Sequence, residues 1–385
     1  MVKLGTVISQ AKNIRCGEHN YPVLSMTMHD GLIFQDDKFK KVIASANRSE
    51  YKVVYRNQLV VSFPIDEGVL AAQRITDVGI VSPAYTIWDI DQAKILPEFL
   101  EYALRCDRSI NYYKAKLRGS TARRRSLPTP TLLEHTIPLP AIDAQRYILE
   151  IIHKSRNVLE TRKIQLQKLD MLVRARFVEM FGDVKINQHN YKKVKIKQVL
   201  KSCEAGWSGN GTQRVKKDDE IAVLKVSAVT KGYFIPEECK VLDDQENIKK
   251  YVTPEKGDLL FSRANTREMV GATAIVREDY PTLILPDKLW KIRFNDSANV
   301  FYMKYVLSSK SIRNEFSASS TGTSGSMFNV SMDKFKEIEI PIAPIELQNQ
   351  FADFVQAIDK SKDSVQKALD EAQLLFDSLM QQYFG

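Results

Sequence analysis

Hydrophobic and polar positions along this chain follow two rhythms, a short one and a long one, and the pair occurs twice. Over residues 1–136 short apolar runs are bounded by turn residues: Val53-Val54-Tyr55, Leu59-Val60-Val61-Ser62-Phe63 and Ile87-Trp88-Asp89-Ile90. Their β-branched and aromatic content predicts strands. Pro97 suits a first helical turn, so a helix is expected from Glu98 to Leu104. Residues 183–339 repeat the plan. Leu259-Leu260-Phe261-Ser262 answers Leu59 to Ser62, Leu289-Trp290-Lys291-Ile292 answers the Trp88 run, and Phe301 to Leu307 answers the helix.

After each domain the apolar spacing lengthens to that of an amphipathic helix. The first stripe holds Ile148, Ile151, Ile152, Leu159, Leu166, Leu169, Leu172 and Val173. The second holds Phe351, Phe354, Val355, Ile358, Val365, Leu369, Ala372, Leu375 and Phe376. Each predicts a helix of roughly 35 to 40 residues, about 50 to 60 Å long. Ile-Pro segments precede both, and proline keeps the residue before it extended. Asp143 and Glu346 then fall near the helix starts, where negative charge meets the positive end of the dipole. A long helix with one apolar stripe must bury it, and the cheapest partner is the other copy. Equivalent roots make that pair antiparallel. The other arrangement packs each helix on its own domain.

The repetition extends to individual residues at a constant offset of 203. Ile137-Pro138-Leu139-Pro140-Ala141-Ile142-Asp143-Ala144-Gln145 meets Ile340-Pro341-Ile342-Ala343-Pro344-Ile345-Glu346-Leu347-Gln348, and Phe181-Gly182 meets Phe384-Gly385. Tyr102, Leu104, Gly119 and Glu134 meet Tyr305, Leu307, Gly322 and Glu337. Solenoid repeats are roughly 20 to 50 residues long, so this is duplication of a whole domain-plus-helix module. The expected fold is α+β. Two similar α/β domains, residues 1–136 and 183–339, are separated by two long helices, 137–182 and 340–385, which form an antiparallel coiled coil with pseudo-twofold symmetry.

The chain of 385 residues has a net charge of +9, and its distribution sharpens the picture. Residues 1–136 carry 19 Lys+Arg against 14 Asp+Glu, and residues 183–339 carry 26 against 21. Both domains are therefore basic, which suits a polyanionic partner. The helical segments oppose each other: 8 basic against 5 acidic in the first, 3 against 7 in the second. Opposite signs suit a mutual pair. The run of about 18 apolar residues that a membrane span needs is absent, as is a hydrophobic signal core after Met1-Val2-Lys3-Leu4-Gly5. Cys16, Cys106, Cys203 and Cys239 are scattered, which points to reduced thiols in a cytoplasm.

Enzyme signatures are sparse. The sequence lacks a phosphate-binding Gly-x-x-x-x-Gly-Lys-Ser/Thr loop, a Gly-x-Gly-x-x-Gly turn and a His-Glu-x-x-His metal site. His19, His29, His135, His153 and His189 are dispersed, with no Cys or Ser partner motif. Ser82-Pro83-Ala84-Tyr85 approaches the motif with which amino-methyltransferases hold a flipped base, but Ala84 breaks it; Pro286-Asp287 lacks the Glu-x-Lys of a nuclease site. Both are expected to be strand-entry turns. A methyltransferase or nuclease with a degenerate motif there is the enzymatic alternative. A coiled-coil scaffold without DNA contact is a third reading, disfavoured by the basic domains.

What remains is polar, basic and loop-borne. One loop carries Arg118, Ser120, Thr121, Arg123, Arg124 and Arg125; its counterpart carries Thr321, Thr323, Ser324, Ser326 and Asn329. Trp207, Asn210 and Arg214 form another candidate group, and Arg263, Asn265 and Arg267 a fourth. Guanidinium groups clamp phosphates or bind guanine in a bidentate manner, and hydroxyl and amide groups suit phosphate and base contacts. A common scaffold with unlike tips would read two different sequences.

The ordered double set resembles the specificity subunit of type I restriction–modification systems over the whole chain. The Ile-Pro segments through Gln145 and Gln348 match the opening of that family's spacer helices. Glu179-Met180-Phe181-Gly182 and Tyr383-Phe384-Gly385 match the helix ends. Lys256-Gly257-Asp258-Leu259-Leu260-Phe261-Ser262-Arg263 and Thr321-Gly322-Thr323 through Asn329-Val330-Ser331 look like its target-recognition domain. In the first module Arg56-Asn57-Gln58-Leu59 stands for the Lys-Gly-Asp-Leu turn, and three arginines stand for the hydroxyl-rich loop. The resemblance implies a non-catalytic subunit of a bacterial or archaeal cytoplasm. Each domain would read one half of a bipartite double-stranded DNA site, with the helices as a ruler. Two methyltransferase subunits would dock and bring S-adenosylmethionine, this chain binding no cofactor, and restriction (motor-nuclease) subunits would join them.

Overall fold

The computed structural model describes residues 1–28, 30–38, 48–117, 127–319 and 328–385. They form two compact units, Met1–Lys163 with Gln366–Gly385, and Ile164–Val365. Both long helices, Ile142–Phe181 and Ile345–Phe384 at 40 residues each, are continuous and pass from one unit to the other. Each unit thus holds one sheet-bearing domain, the beginning of one long helix and the end of the other.

In the first unit four antiparallel strands lie in the order Ile8–Gln10, Thr86–Ile90, Leu59–Val61, Leu70–Ala72. Successive strand residues point to opposite faces. Leu59 and Val61 therefore join one core with Trp88, Phe99, Leu104 and Tyr113, while Val60 joins another with Leu24, Leu32 and Val81. The helix starting at Pro97 runs to Arg105, as its sequence requires. In the second unit the order is Leu200–Ala205, Leu289–Phe294, Leu259–Ser262, Thr273–Ile275, again antiparallel. A second sheet there joins Gly211–Thr212, Cys239–Leu242, Ala222–Leu224 and Leu283–Ile284, the last pair parallel.

The strand equivalence shifts by two residues from the one expected. Leu59 faces Trp88, whereas the residue facing Trp290 is Phe261, not Leu259. The preceding turns still correspond, because Asn57 and Gly257 both hold a positive φ, 69° and 88°. The second strand is simply longer between turn and tryptophan, and an even shift keeps every side chain on its own face.

Entry to each domain is duplicated to the bond. Val2–Lys3 pairs with Thr136–Ile137, and Lys192–Lys195 with Glu339–Ile342. Lys3 meets Glu134 at 2.7 Å, and Lys195 meets Glu337 at 2.7 Å.

Both arrangements foreseen for the helices occur together. In the first unit Ile148 and Ile152 are buried in the domain core, and Phe376, Met380 and Phe384 from the end of the second helix join the same core. In the second unit Phe351 and Val355 share a core with Val173, Phe177 and Phe181 from the end of the first helix. The pair is therefore antiparallel. Lys362 bridges to Asp170 across it. Leu159 is buried, and Leu166, Leu169, Ile358, Val365 and Leu369 are half-buried, as a seam requires. Leu172 and Leu375 are corrections: they are 46% and 57% exposed. At about 100° per residue the inward line passes instead through their neighbours Val173 and Phe376.

The helix ends close on aromatic clusters. Phe384 lies 5.0 Å from Phe99 and 6.0 Å from Tyr102, and Phe181 lies 4.8 Å from Tyr302 and 5.6 Å from Phe351. Replacing buried Phe384 by Ala should lower unfolding free energy by about 3–5 kcal/mol in denaturant titration. A loss below about 1 kcal/mol would show that the second helix does not depend on this anchor.

Candidate nucleic-acid interface and the joints behind it

Of the candidate DNA-contacting residues, Arg118, Ser120, Thr121, Arg123, Arg124, Arg125, Thr321, Thr323, Ser324 and Ser326 lie outside the described residues. The others sit on the second domain, and the fold gathers most of them. Ala264–Asn265 pairs with Phe328–Asn329, and the Val330 N–H donates to the Arg263 carbonyl at 2.9 Å. Arg263, Asn265 and Asn329 thus share one short ladder. Arg263 donates to the Asp287 carbonyl at 2.8 Å and to its carboxylate at 3.1 Å. Ser208 donates to the same carboxylate, which ties the loop of Trp207 and Asn210 to the ladder. Trp207 is half-buried against Val223, Leu242 and Ile284, so it anchors this loop. Asn210 and Arg267 are exposed. Arg214 belongs to another neighbourhood: both arms of its guanidinium meet Glu220, at 2.7 and 2.6 Å, and pull that carboxyl down to about 2.

Sequence reasoning missed what stiffens this ladder. Asp258, wholly buried, accepts from Arg293 at 2.6 Å and lies 3.3 Å from the Lys291 ammonium. Glu255 accepts from Lys291 at 2.7 Å and Arg293 at 2.6 Å, and these bonds hold its carboxyl at about 2. Two acids from the turn and two bases from the adjacent strand clamp the start of the strand that delivers Arg263. The signal was the pairing of acidic and basic positions across a register that only folding reveals.

The enzymatic alternatives lose their chemistry here. Ser82 accepts from Ala84 N at 3.3 Å through its hydroxyl and from Tyr85 N at 3.1 Å through its carbonyl, the strand-entry turn expected. Asp287 is occupied by Arg263 and Ser208. Burial raises its carboxyl, but these two partners outweigh burial and hold it below the usual range. One histidine meets a serine that no sequence motif announces. Ser109 Oγ lies 2.7 Å from His135 Nε2, and Cys106 Sγ lies 3.6 Å from Ser109. Both Ser109 and His135 are sealed in the core, at 1% and 2% exposure. Burial pushes the imidazole down to about 4, so it is neutral and structural. Among the described residues, no His, Cys, Asp and Glu group could hold a metal, and no helix is long and apolar enough to cross a membrane.

Behind the interface, each long helix joins its domain through one glutamine. Gln145 accepts from Leu96 N at 2.8 Å and donates to Lys94 O at 2.9 Å and Pro140 O at 2.8 Å. Gln348 accepts from Asn299 N at 2.8 Å and donates to Ser297 O at 3.2 Å and Ala343 O at 2.7 Å. Nearby charges differ between the joints. In the first, Arg74 meets Glu98 at 3.0 Å and Glu101 at 3.6 Å, and Arg156 on the long helix lies over Tyr102. In the second, Arg277 meets Asp359 on the long helix, and Lys304 lies over Tyr305. Burial pulls the Lys304 ammonium down to about 8 against the opposing pull of Asp359.

Comparison with known proteins agrees with this architecture. Residues 188–373 match the family model described as the type I restriction modification DNA specificity domain. The chain is 25% identical over 193 residues to the type I restriction enzyme EcoEI specificity subunit of Escherichia coli, covering 48% of this chain and 32% of that one. It is 22% identical over 263 residues to the EcoKI specificity subunit of Escherichia coli strain K12, covering 64% and 55%. The matched regions thus span about a third and about half of those relatives. The crystal structure of the type I restriction-modification S subunit from M. genitalium shares the fold, with a TM-score of 0.53 at 13% identity over 100% of this chain and 95% of that one. The chain thus carries a type I restriction modification DNA specificity domain over residues 188–373 and resembles the specificity subunits of these systems.

The clamp predicts acid sensitivity. Glu255 titrates lower in the folded chain than its ordinary 4.5, so it contributes stability above about pH 4.5 that is lost as pH falls towards 2. Glu255→Gln should flatten urea-derived stability across that window; an unchanged slope would refute the assignment. Asp258→Asn should cost about 1.5–3 kcal/mol at neutral pH by removing the buried charged acceptor of Arg293, while Glu255 still faces both bases.

Proposed function

We propose that this chain is the DNA-reading subunit of a type I restriction–modification complex and has no catalysis of its own. Each basic domain reads one half of a bipartite double-stranded site, and the helices hold the two readers at a set separation. Two methyltransferase subunits dock on the chain and bring S-adenosylmethionine, and motor-nuclease subunits join for restriction. The assembly works on DNA in the cytoplasm of a bacterium or archaeon.

The observation that carries this reading is the duplication. Two domains of one plan are rooted by the same joint in two helices of equal length, yet their loop sequences differ: three arginines at 123–125 against the hydroxyl-rich run at 320–329. Equal scaffolds with unequal tips suit a two-part target. The match of residues 188–373 to a DNA specificity domain supports DNA as the partner of the second domain. For the second domain the proposed contacts are Arg263, Asn265, Arg267 and Asn329, with Trp207 and Asn210 beside them. Arg263 and Trp207 also hold the surface in shape.

Two outcomes test this. Changing Arg123, Arg124 and Arg125 together to Ala should weaken DNA binding and reduce its log–log salt slope by up to about 2.7, roughly 0.9 per phosphate contact. Unchanged affinity and slope would remove the loop from the interface. Inserting four helical residues near Arg162 should lengthen one helix by about 6 Å and leave its apolar stripe nearly in phase. DNA rises about 3.4 Å per base pair, so the preferred spacer should grow by about one or two base pairs with both half-sites unchanged. Methylation of a variable-spacer library in the presence of methyltransferase reads this directly. Activity with the original preference would show that the helices are not the ruler.

A further inference from the structure

Gln145 and Gln348 stand at the same place in the two modules, 203 residues apart. Each is completely buried, and each uses every hydrogen-bonding position that matters: one oxygen accepting, two N–H groups donating. Bonds from either glutamine reach two separate pieces of chain. One is the loop before the domain's helix, through residues 94 and 96 or 297 and 299. The other is the Ile-Pro exit, through Pro140 or Ala343. The glutamine itself belongs to the first turn of the long helix. One planar group therefore fixes three segments in a single orientation.

The other directional contacts between domain and long helix, His153 to Glu98 at 2.9 Å, Asn299 to Asn349 at 2.9 Å and Arg277 to Asp359, each involve an exposed side chain where water competes. Between the Ile137 strand and the long helix lie only Pro138 to Ala141. The apolar contacts of Ile148, Ile152, Phe351 and Val355 bury area but do not select an angle. Hydrogen bonds do, because they weaken steeply as they bend. The residue type is constrained too. Glu would turn donors into acceptors and bury a charge facing two carbonyls. Met keeps the length and makes none of the bonds. Asn falls short by one methylene.

We propose that Gln145 and Gln348 are positioning residues that set the angle of each recognition domain on its long helix, and so the spacing register of the two half-sites. This rests on the DNA-reading function proposed above. It assigns the angular part of the ruler to two side chains that never touch DNA, whereas helix length supplies the linear part.

The test uses the full chain with its methyltransferase subunits and a DNA library holding both half-sites at a series of spacer lengths. Gln145→Met and Gln348→Met should each leave the half-site sequences unchanged. Preference for the native spacer over those one base pair longer or shorter should fall by about tenfold, the scale of one lost buried hydrogen bond. The ratio is the readout, because mere loss of folded protein lowers methylation at every spacer alike. Reduced activity with an unchanged ratio would overturn the proposal, and so would a changed half-site sequence. If the Met variants do not fold, Gln145→Glu and Gln348→Glu take their place, compared at about pH 8 and pH 6. Burial raises such a carboxyl, and its protonated form recovers one donor, so spacer preference should sharpen as pH falls. A ratio flat with pH would equally reject the idea. Failure of the DNA-reading function itself would show in the unsubstituted chain, as the absence of any two-part methylated site, and would take the proposal with it.

Discussion

One buried carboxamide in each unit carries the joint on which the architecture depends. In each unit the sheet domain and the long helices share one apolar core, and apolar packing alone would let them meet at a range of angles. Gln145 and Gln348 remove that freedom by satisfying backbone groups from the domain and from the exit segment at once. The carboxamides themselves are wholly buried, so any other orientation would leave their own N–H and C=O groups unpaired at a cost comparable to a lost hydrogen bond. The entry strands and their Lys3–Glu134 and Lys195–Glu337 pairs hold the other side of each exit segment.

Around that common joint the two units solve the same electrostatic problem differently. Each gathers bases and acids around a tyrosine within its domain helix, Tyr102 in the first and Tyr305 in the second. In the first the acid, Glu101, is on the domain helix and the base, Arg156, on the long helix. In the second these positions are reversed, with Lys304 on the domain helix and Asp359 on the long one. The exchange follows the net charges of the two helical segments, basic in the first and acidic in the second.

The recognition surface of the second domain depends on a different kind of order. Its candidate contacts are carried by short strands and turns, with few backbone bonds of their own. Rigidity comes from beneath: the Glu255, Asp258, Lys291 and Arg293 clamp, the Asp287 tether and the Trp207 anchor. Several of these residues are charged, and their partners consume them. Charge on a loop is thus no direct measure of what the loop offers to DNA, as Arg214 shows by closing on Glu220.

The order of residues alone foretells the duplication, the two long helices, their antiparallel pairing and the two central strands of each domain's main sheet. Those features are local periodicities or repeated motifs, and local physics suffices to express them. It also carried the glutamines in plain view, as part of a repeated motif whose purpose was not legible. The remaining features depend on contacts between distant parts of the chain. Leu172 and Leu375 fit the apolar spacing but turn outward, because the seam selects one line among several that the helical period allows. Trp290 chooses Phe261 over Leu259 because strand register is a long-range choice. Ser109 reaches His135, and Asp258 reaches Arg293, across separations that no spacing rule encodes. A polar group states what bonds it needs, but only the folded chain brings the partner that supplies them.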